Sequence, residues 1–224
     1  MRVGIVGAGR IGGNAGIQLA RSGHKVLFSY SRDPAKLERL AEGVPGARTG
    51  TPREAVEFGE AVLFAVPWRL INHVLAETGS LDGKVVVDTT NQFGPGGLAG
   101  LPDGLSAVET NARRMRGAKL AKAFNTLTSG YQRDVAERRV DGEVAMCFAA
   151  EDPEAIDAAA TLSEGCGFVP VRIGGWERVR LMEAPRRAGS VYGEAYRPED
   201  ARRIATAPLD EAARLADELR IGEP

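Results

Sequence analysis

The sequence predicts an α/β protein: a doubly wound Rossmann fold whose mostly parallel sheet has about eight strands, followed by a helical C-terminal extension. Three observations carry this prediction. Short apolar runs rich in β-branched residues alternate with longer amphipathic stretches through the first part of the chain, as strands covered by helices require. The first run, Val3 to Val6, passes directly into Gly7-Ala8-Gly9-Arg10-Ile11-Gly12, a glycine-rich turn that opens a helix. The alternation then continues past Val144 to a last run at Phe168 to Ile173, enough for about eight strands.

Each element follows from local chemistry. A helix from Arg10 to Arg21 stops at Ser22-Gly23, and Lys25 to Tyr30 is the second strand. Asp33-Pro34 reads as N-cap and first helical residue for Ala35 to Ala41. Pro45 to Gly50 is turn-rich with at most a short strand, and Thr51-Pro52-Arg53-Glu54 has the form of a capping box. Ala61 to Val66 and Lys84 to Asp88 are buried strands flanking a helix that begins near Pro67. Gln92 to Gly104 is rich in Gly and Pro and reads as a functional loop. A helix from Ser106 to Arg116, a strand from Leu120 to Phe124, a strand from Val144 to Ala149 and a helix from Pro153 to Glu164 complete the pattern. In the tail, Pro208 to Leu219 forms a helix with an apolar stripe through Leu209, Leu215 and Leu219. The expected division is a Rossmann unit over 1–175 and an extension over 176–224, packed on that unit or on a partner subunit.

Composition narrows the function. The chain has 224 residues, 43% of them apolar, with 29 Lys and Arg against 30 Asp and Glu. Balanced, scattered charge argues against nucleic acid or an anionic membrane as partner. The longest clean apolar stretch, Ala61 to Trp68, is far below the ~18 residues that span a bilayer. The start runs from Arg2 straight into Val3, Ile5 and Val6, without the pattern of an export leader. Cys147 and Cys166 lack C-x-x-C spacing and read as core residues of a cytoplasmic protein. His24 and His73, the two histidines, read as structural and solvent-facing; they supply no histidine-rich metal site, and no metal is expected.

The glycine-rich turn carries the chemistry. Gly7 permits the tight strand-to-helix turn, Gly9 lets the backbone approach a pyrophosphate, and Gly12 allows close packing of helix on strand. Unpaired amides at the helix start bind the anion. At the end of the second strand, where an acidic residue would hold a ribose 2′-hydroxyl, the chain has Ser31-Arg32, with Lys36 a turn later. A hydroxyl, a guanidinium and an ammonium suit a 2′-phosphate, so NADP(H) is the expected nucleotide; solvated surface charge is the plainer alternative. Asp33 is open to a ribose hydroxyl, although its place before Pro34 favours capping. Val66, Pro67 and Trp68 end the fourth strand at the carboxyl edge of the sheet. Asn91 and Asn125 follow two further strands there, either facing one crevice or capping loop backbone. Lys119 and Lys122 read as surface residues of the strand region.

These residues resemble the NADP oxidoreductases dependent on coenzyme F-420, a deazaflavin. The resemblance runs through Gly7 to Gly12, Ser31-Arg32 with Lys36, Val66-Pro67-Trp68 and Lys122-Ala123-Phe124-Asn125-Thr126, and spans about the first 175 residues. The last motif is also similar to the reductase domain of the STEAP metalloreductases, which use NADPH and flavin. The resemblance implies NADP in the crevice, touched by Gly9, Arg10, Ile11, Ser31, Arg32 and Lys36. It also implies a deazaflavin stacked on the nicotinamide, with Pro67, Trp68 and Asn125 near the two rings. The tail departs from the family's apolar helical segment: Met182 to Glu194 is polar and contains Arg186, Arg187, Tyr192 and Glu194, placed to cover the crevice, bind a different acceptor or reach a partner.

The expected function is hydride transfer between NADP(H) and a deazaflavin- or flavin-like acceptor. Two other readings stand beside it. An NADPH-dependent imine or carbonyl reductase would need a proton donor, with Tyr192 and Lys122 as candidates. A module that senses NADP(H) without catalysis is compatible with the same fold. A homodimer through the terminal helix is preferred over packing of that helix on its own sheet.

Overall fold

Strand β1 (Arg2–Val6) is the hub, paired in parallel with β2 (Lys25–Ser29) on one side and β4 (Ala61–Phe64) on the other. Beyond β2 lies β3 (Ala47–Gly50). Beyond β4 come β5 (Val85–Asp88), β8 (Lys119–Lys122), β9 (Ala145–Ala150) and β10 (Val169–Gly174), so eight strands run in the order β10-β9-β8-β5-β4-β1-β2-β3. Every pairing is parallel except β8 with β9, which reverses the direction of the last two strands. Described are residues 1–31 and 33–221 of a computed structural model.

Along β1 the side chains divide the core in two. Val3 and Ile5 join the cluster under α1 (Arg10–Arg21), α2 (Pro34–Glu42), α6 (Ser129–Ala136) and α7 (Pro153–Gly165). Val6 joins the opposite cluster, under α3 (Pro52–Phe58), α4 (Ile71–Thr78), α5 (Ala107–Arg114), α8 (Pro198–Thr206) and α9 (Leu209–Glu218). Helices on both faces make the sheet doubly wound, as the sequence predicts. Both cysteines are buried in these cores.

The helix starts obey their predicted chemistry. Thr51 and Ser106 each accept from the amide three residues on, while Glu54 and Glu109 reach back to the cap amides. Asp33 does precede α2, but its carboxylate makes no capping bond and pairs with Arg39 instead, at 2.8 Å.

Five features differ from expectation. The second strand stops at Ser29, because Tyr30 adopts a left-handed φ of 57°. The segment after Gln92 contains a two-stranded hairpin, β6 (Phe93–Gly94) with β7 (Gly97–Leu98). Helix α6 has no apolar stripe to announce it, because the inward Gln132 is polar; its amide donates to the carbonyls of Phe124 and Leu127. Lys122 is wholly buried against Asp88 rather than on the surface. Finally, the apolar face expected to favour a dimer is covered by the chain itself: α8 packs on β10, α9 packs on α8, and Ala212, Leu215 and Ala216 enter the core while Leu209 stays exposed. Arg178 closes the end of α8, donating to the carbonyls of Ile204 and Ala207 at 2.8 Å each. Among the described residues, no helix is long and apolar enough to cross a membrane.

Candidate functional site

The strand order reverses between β1 and β4, and open α/β sheets bind ligands outside the carboxyl ends of their strands at such a switch point. The glycine-rich turn occupies this place. Gly7 has a φ of +105°, and a Cβ there would stand 2.4 Å from the Ala65 carbonyl oxygen. A Cβ on Gly12 would stand 2.1 Å from the Gly7 carbonyl oxygen. Gly9 is different: nothing lies within 4 Å of its Cβ position, so the backbone there borders open space. Gly9 also caps α1 without a side-chain bond, and no acid occupies the first turn. The positive end of the helix dipole is thus left without a counter-charge in its own first turn.

Two cavities open on this turn. The smaller, about 210 Å³, is lined by Gly7, Gly9, Tyr30, Ser31, Asp33, Lys36, Pro67 and Leu70 among others. Ser31 accepts from the Asp33 amide at 3.2 Å. The Arg39 guanidinium holds the Asp33 carboxyl below its ordinary range. Ser31 and Lys36 therefore meet beside the glycines; Arg32, expected with them, lies outside the described residues.

The larger cavity, about 750 Å³, begins at Arg10 and Ile11 and extends over Thr89, Asn91, Phe124, Asn125 and Thr126. Its outer wall comes from Phe93 in the hairpin and from Arg186, Tyr192 and Gly193 in the extension. The Gly193 amide donates to the Thr126 carbonyl at 2.8 Å, binding the polar segment to the sheet edge. Asn91 donates to the Asn125 carbonyl at 2.9 Å, and the Asn125 side-chain amide donates to the Met182 carbonyl at 2.7 Å. A carbonyl can only accept, so the Met182 bond fixes the orientation of the Asn125 amide. Its Oδ1 is consequently a buried acceptor without a protein partner. Tyr192 is half-buried, and desolvation raises its hydroxyl pKa above the ordinary value.

Tyr30, directly after β2, and Phe124, two residues beyond the end of β8, are left-handed at φ 57° and 58°. This conformation costs non-glycine residues of order 1–3 kcal/mol and clusters at ligand sites. Each of the two lines one of the cavities.

The remaining expected residues are placed elsewhere. Trp68 is 7% exposed and sits in the core, with the Arg114 guanidinium 4.5 Å above its ring. Val66 is buried in the same core, whereas Pro67 reaches the smaller cavity. Lys122 lies beneath the strand ends, where its ammonium binds the Asp88 carboxylate and the Thr90 carbonyl. Asn111 completes that network with bonds of 2.9 Å to Asp88 and 3.0 Å to Thr90. Phe93, Tyr30 and Leu70 were not singled out by sequence; for Phe93 the signal was its place in a long Gly/Pro-rich segment.

The sequence from residue 2 to residue 92 matches the family described as NADP oxidoreductase coenzyme F420-dependent. No curated protein matches the chain. Among solved structures, a hypothetical protein of Sinorhizobium meliloti is similar at 23% identity and a TM-score of 0.72, over 84% of this chain and 91% of that one. A protein from Arthrobacter sp. FB24 described as an F420-dependent NADP reductase is similar at 21% identity and a TM-score of 0.66, over 80% and 87%. A reductive aminase from Aspergillus terreus, in complex with NADPH and ethyl-5-oxohexanoate, gives 19% identity and a TM-score of 0.57 over 78% of this chain. The matched part is 55% of that longer enzyme. At these identities the likenesses show a shared Rossmann-type fold. From Arg2 to Gln92, through β1 to β5, the chain is similar to the NADP oxidoreductases of the coenzyme F420-dependent family.

Proposed function

We propose that this chain is an NADP(H)-dependent oxidoreductase that transfers hydride between the nicotinamide and a deazaflavin- or flavin-like acceptor. In this reading residues 1–175 hold the nucleotide and 176–224 complete the acceptor cavity. One observation carries it: the start of α1 is shared by two cavities, with Gly9 lining the smaller and Arg10 and Ile11 the larger. A dinucleotide pyrophosphate over Gly9 would set its adenosine half beside Ser31 and Lys36 and its nicotinamide half toward Asn91 and Asn125.

The residues present fit that group. The open space over Gly9 leaves room for a phosphate, and the partnerless Oδ1 of Asn125 can accept an amide N–H. Ser31, Arg32 and Lys36 are assigned to the 2′-phosphate; Gly7 and Gly12 keep backbone and helix close. When bound, the nucleotide supplies or receives the hydride. The chain contributes orientation and exclusion of water, and positioning alone can supply about 7–11 kcal/mol. Pro67 walls the nucleotide cavity, while Asn91 and Asn125 hold the floor of the larger one.

A second reading, reduction of an imine or carbonyl, is favoured by Tyr192. It lines the larger cavity, and a phenol is among the groups that donate a proton to a reduced substrate. The test is NADPH oxidation against F-420, FMN, a cyclic imine and a keto acid. Turnover with the ring acceptors supports the first reading. Turnover with imine or keto acid that is lost in Tyr192→Phe supports the second, and binding without oxidation of NADPH by any acceptor identifies a nucleotide-sensing module.

A further inference from the structure

The hairpin of β6 and β7 leaves apolar surface in water. Met1, Phe93, Leu98 and Leu209 are the exposed large apolar side chains among the described residues, and Phe93 stands directly opposite Leu98 in the hairpin pair. Opposite residues of an antiparallel pair share one face, so a phenyl ring 48% exposed and a leucine 45% exposed lie side by side. Phe93 also walls the larger cavity, whereas Leu98 stands outside its lining. An apolar pair on the rim of a ligand cavity marks a contact surface.

The two sides of the cavity mouth are built differently. The extension is fastened to the sheet: Asn125 and Gln92 donate to the carbonyls of Met182 and Ala184 at 2.7 and 2.9 Å, and the Gly193 amide is bonded to Thr126. The hairpin is fastened at its base, where the Phe93 amide donates to the Asn91 carbonyl and the Ala99 amide to the Gln92 carbonyl, both at 2.7 Å. Its tip is Gly94-Pro95-Gly96-Gly97, with Gly97 left-handed at a φ of +109°. Apart from chain neighbours, no described atom lies within 4 Å of the Cβ positions of Gly96, Gly97 and Gly100. A rooted base under a glycine-rich tip with few contacts is the construction of an element that swings.

We infer that this hairpin is a lid for the second substrate: with a planar ring in the larger cavity it closes toward Tyr192, laying Phe93 on the ring and covering Leu98. The inference rests on the hydride-transfer reading above and assigns the element that holds its ring acceptor in place. Closure does two things that such a reaction needs. It keeps water from the reacting rings, and it holds the acceptor against the nicotinamide. Loss of one aromatic stacking contact corresponds to about tenfold in affinity.

Leu98→Cys makes the hairpin its own reporter, since Cys147 and Cys166 are buried while position 98 is exposed outside the cavity. The full chain carrying this substitution is alkylated with iodoacetamide at neutral pH in three states: free, with NADP⁺, and with NADP⁺ plus oxidised F-420 or FMN. Two oxidised partners exchange no hydride, so the complex persists. Ring binding is read independently from quenching of F-420 or FMN fluorescence. NADP⁺ alone should leave the alkylation rate unchanged. NADP⁺ with the ring should slow it about tenfold, as a lid closed in roughly nine-tenths of the complexes would. Adding Phe93→Ala should abolish this protection and raise the KM for the ring acceptor about tenfold, at an unchanged KM for NADPH. Phe93→Tyr, which keeps the ring, should retain the protection. A bound ring that leaves alkylation unchanged would overturn the inference, and so would protection by NADP⁺ alone, which would assign the hairpin to the nucleotide. An acceptor KM untouched in Phe93→Ala would overturn it as well. Failure of the hydride-transfer reading shows itself separately: no quenching of either ring by the wild type would remove that reading and the lid together, before any alkylation is measured.

Discussion

The ammonium of Lys122 stands 3.0 Å from the carboxylate of Asp88, and both side chains are wholly buried beneath the larger cavity. Neighbouring bonds complete the network: the Thr90 amide donates to Asp88 at 2.8 Å, Asn111 donates to Asp88, and Arg114 donates to Asn111 at 3.0 Å. The ends of β5 and β8 are thus joined below Asn91 and Asn125. Lys122→Met, which keeps most of the stem, would leave the carboxylate without its cation at a cost of about 3–5 kcal/mol. Denaturant unfolding should show that loss, and Asp88→Asn in the same chain should recover part of it.

Glu183 joins the segment after β10 to the start of α5. Its buried carboxylate accepts from the amides of Ala107 and Val108 at 2.9 and 2.8 Å, at the start of α5. Glu183→Ala strands these amides and should lower stability by about 1–3 kcal/mol. Glu183→Gln, which keeps an acceptor oxygen, should lose less in the same urea titration.

The two cysteines give a chemical test of the core. Burial pushes both thiols from an ordinary value of 9.0 up to about 12. Iodoacetamide at neutral pH should leave the native chain unlabelled and label both sites after denaturation. Because the folded values are raised, this contribution to stability is fully present below about pH 9 and is lost as the pH climbs toward 12. A thiol alkylated in the native state would contradict the packing.

The expected nucleotide preference depends on Ser31, Arg32 and Lys36. Lys36→Ala and Arg32→Ala should each reduce the preference for NADPH over NADH by about tenfold or more, with NADH affinity nearly unchanged. Dissociation constants from fluorescence titration measure this directly. An unchanged ratio in both variants would remove the 2′-phosphate assignment.

Elements specified by neighbours in sequence were legible. Helix α1 was readable from Arg10 to Arg21 because a strand and glycine precede it and Ser22-Gly23 follows. The box at Thr51 and Glu54 was readable because its members are three residues apart. What depended on distant partners was not. Lys122 looks like a surface lysine until Asp88, 34 residues earlier, is brought beside it. Helix α6 was hidden because Gln132 faces inward to serve carbonyls of the preceding loop. The stripe on α9 announced burial but could not say against what, and α8 supplies that cover. At the site, the glycines were visible as a motif, whereas the wall of Phe93, Arg186 and Tyr192 exists only after two separate loops converge.

The most direct measurement is calorimetric titration of the folded chain with NADPH and NADP⁺, alongside Gly12→Val. A branched side chain at Gly12 would drive into the Gly7 carbonyl oxygen, only 2.1 Å from the Cβ position. The account predicts saturable one-to-one binding by the wild type and a loss of at least tenfold in the variant. No heat of binding to the wild type with either oxidation state would contradict it.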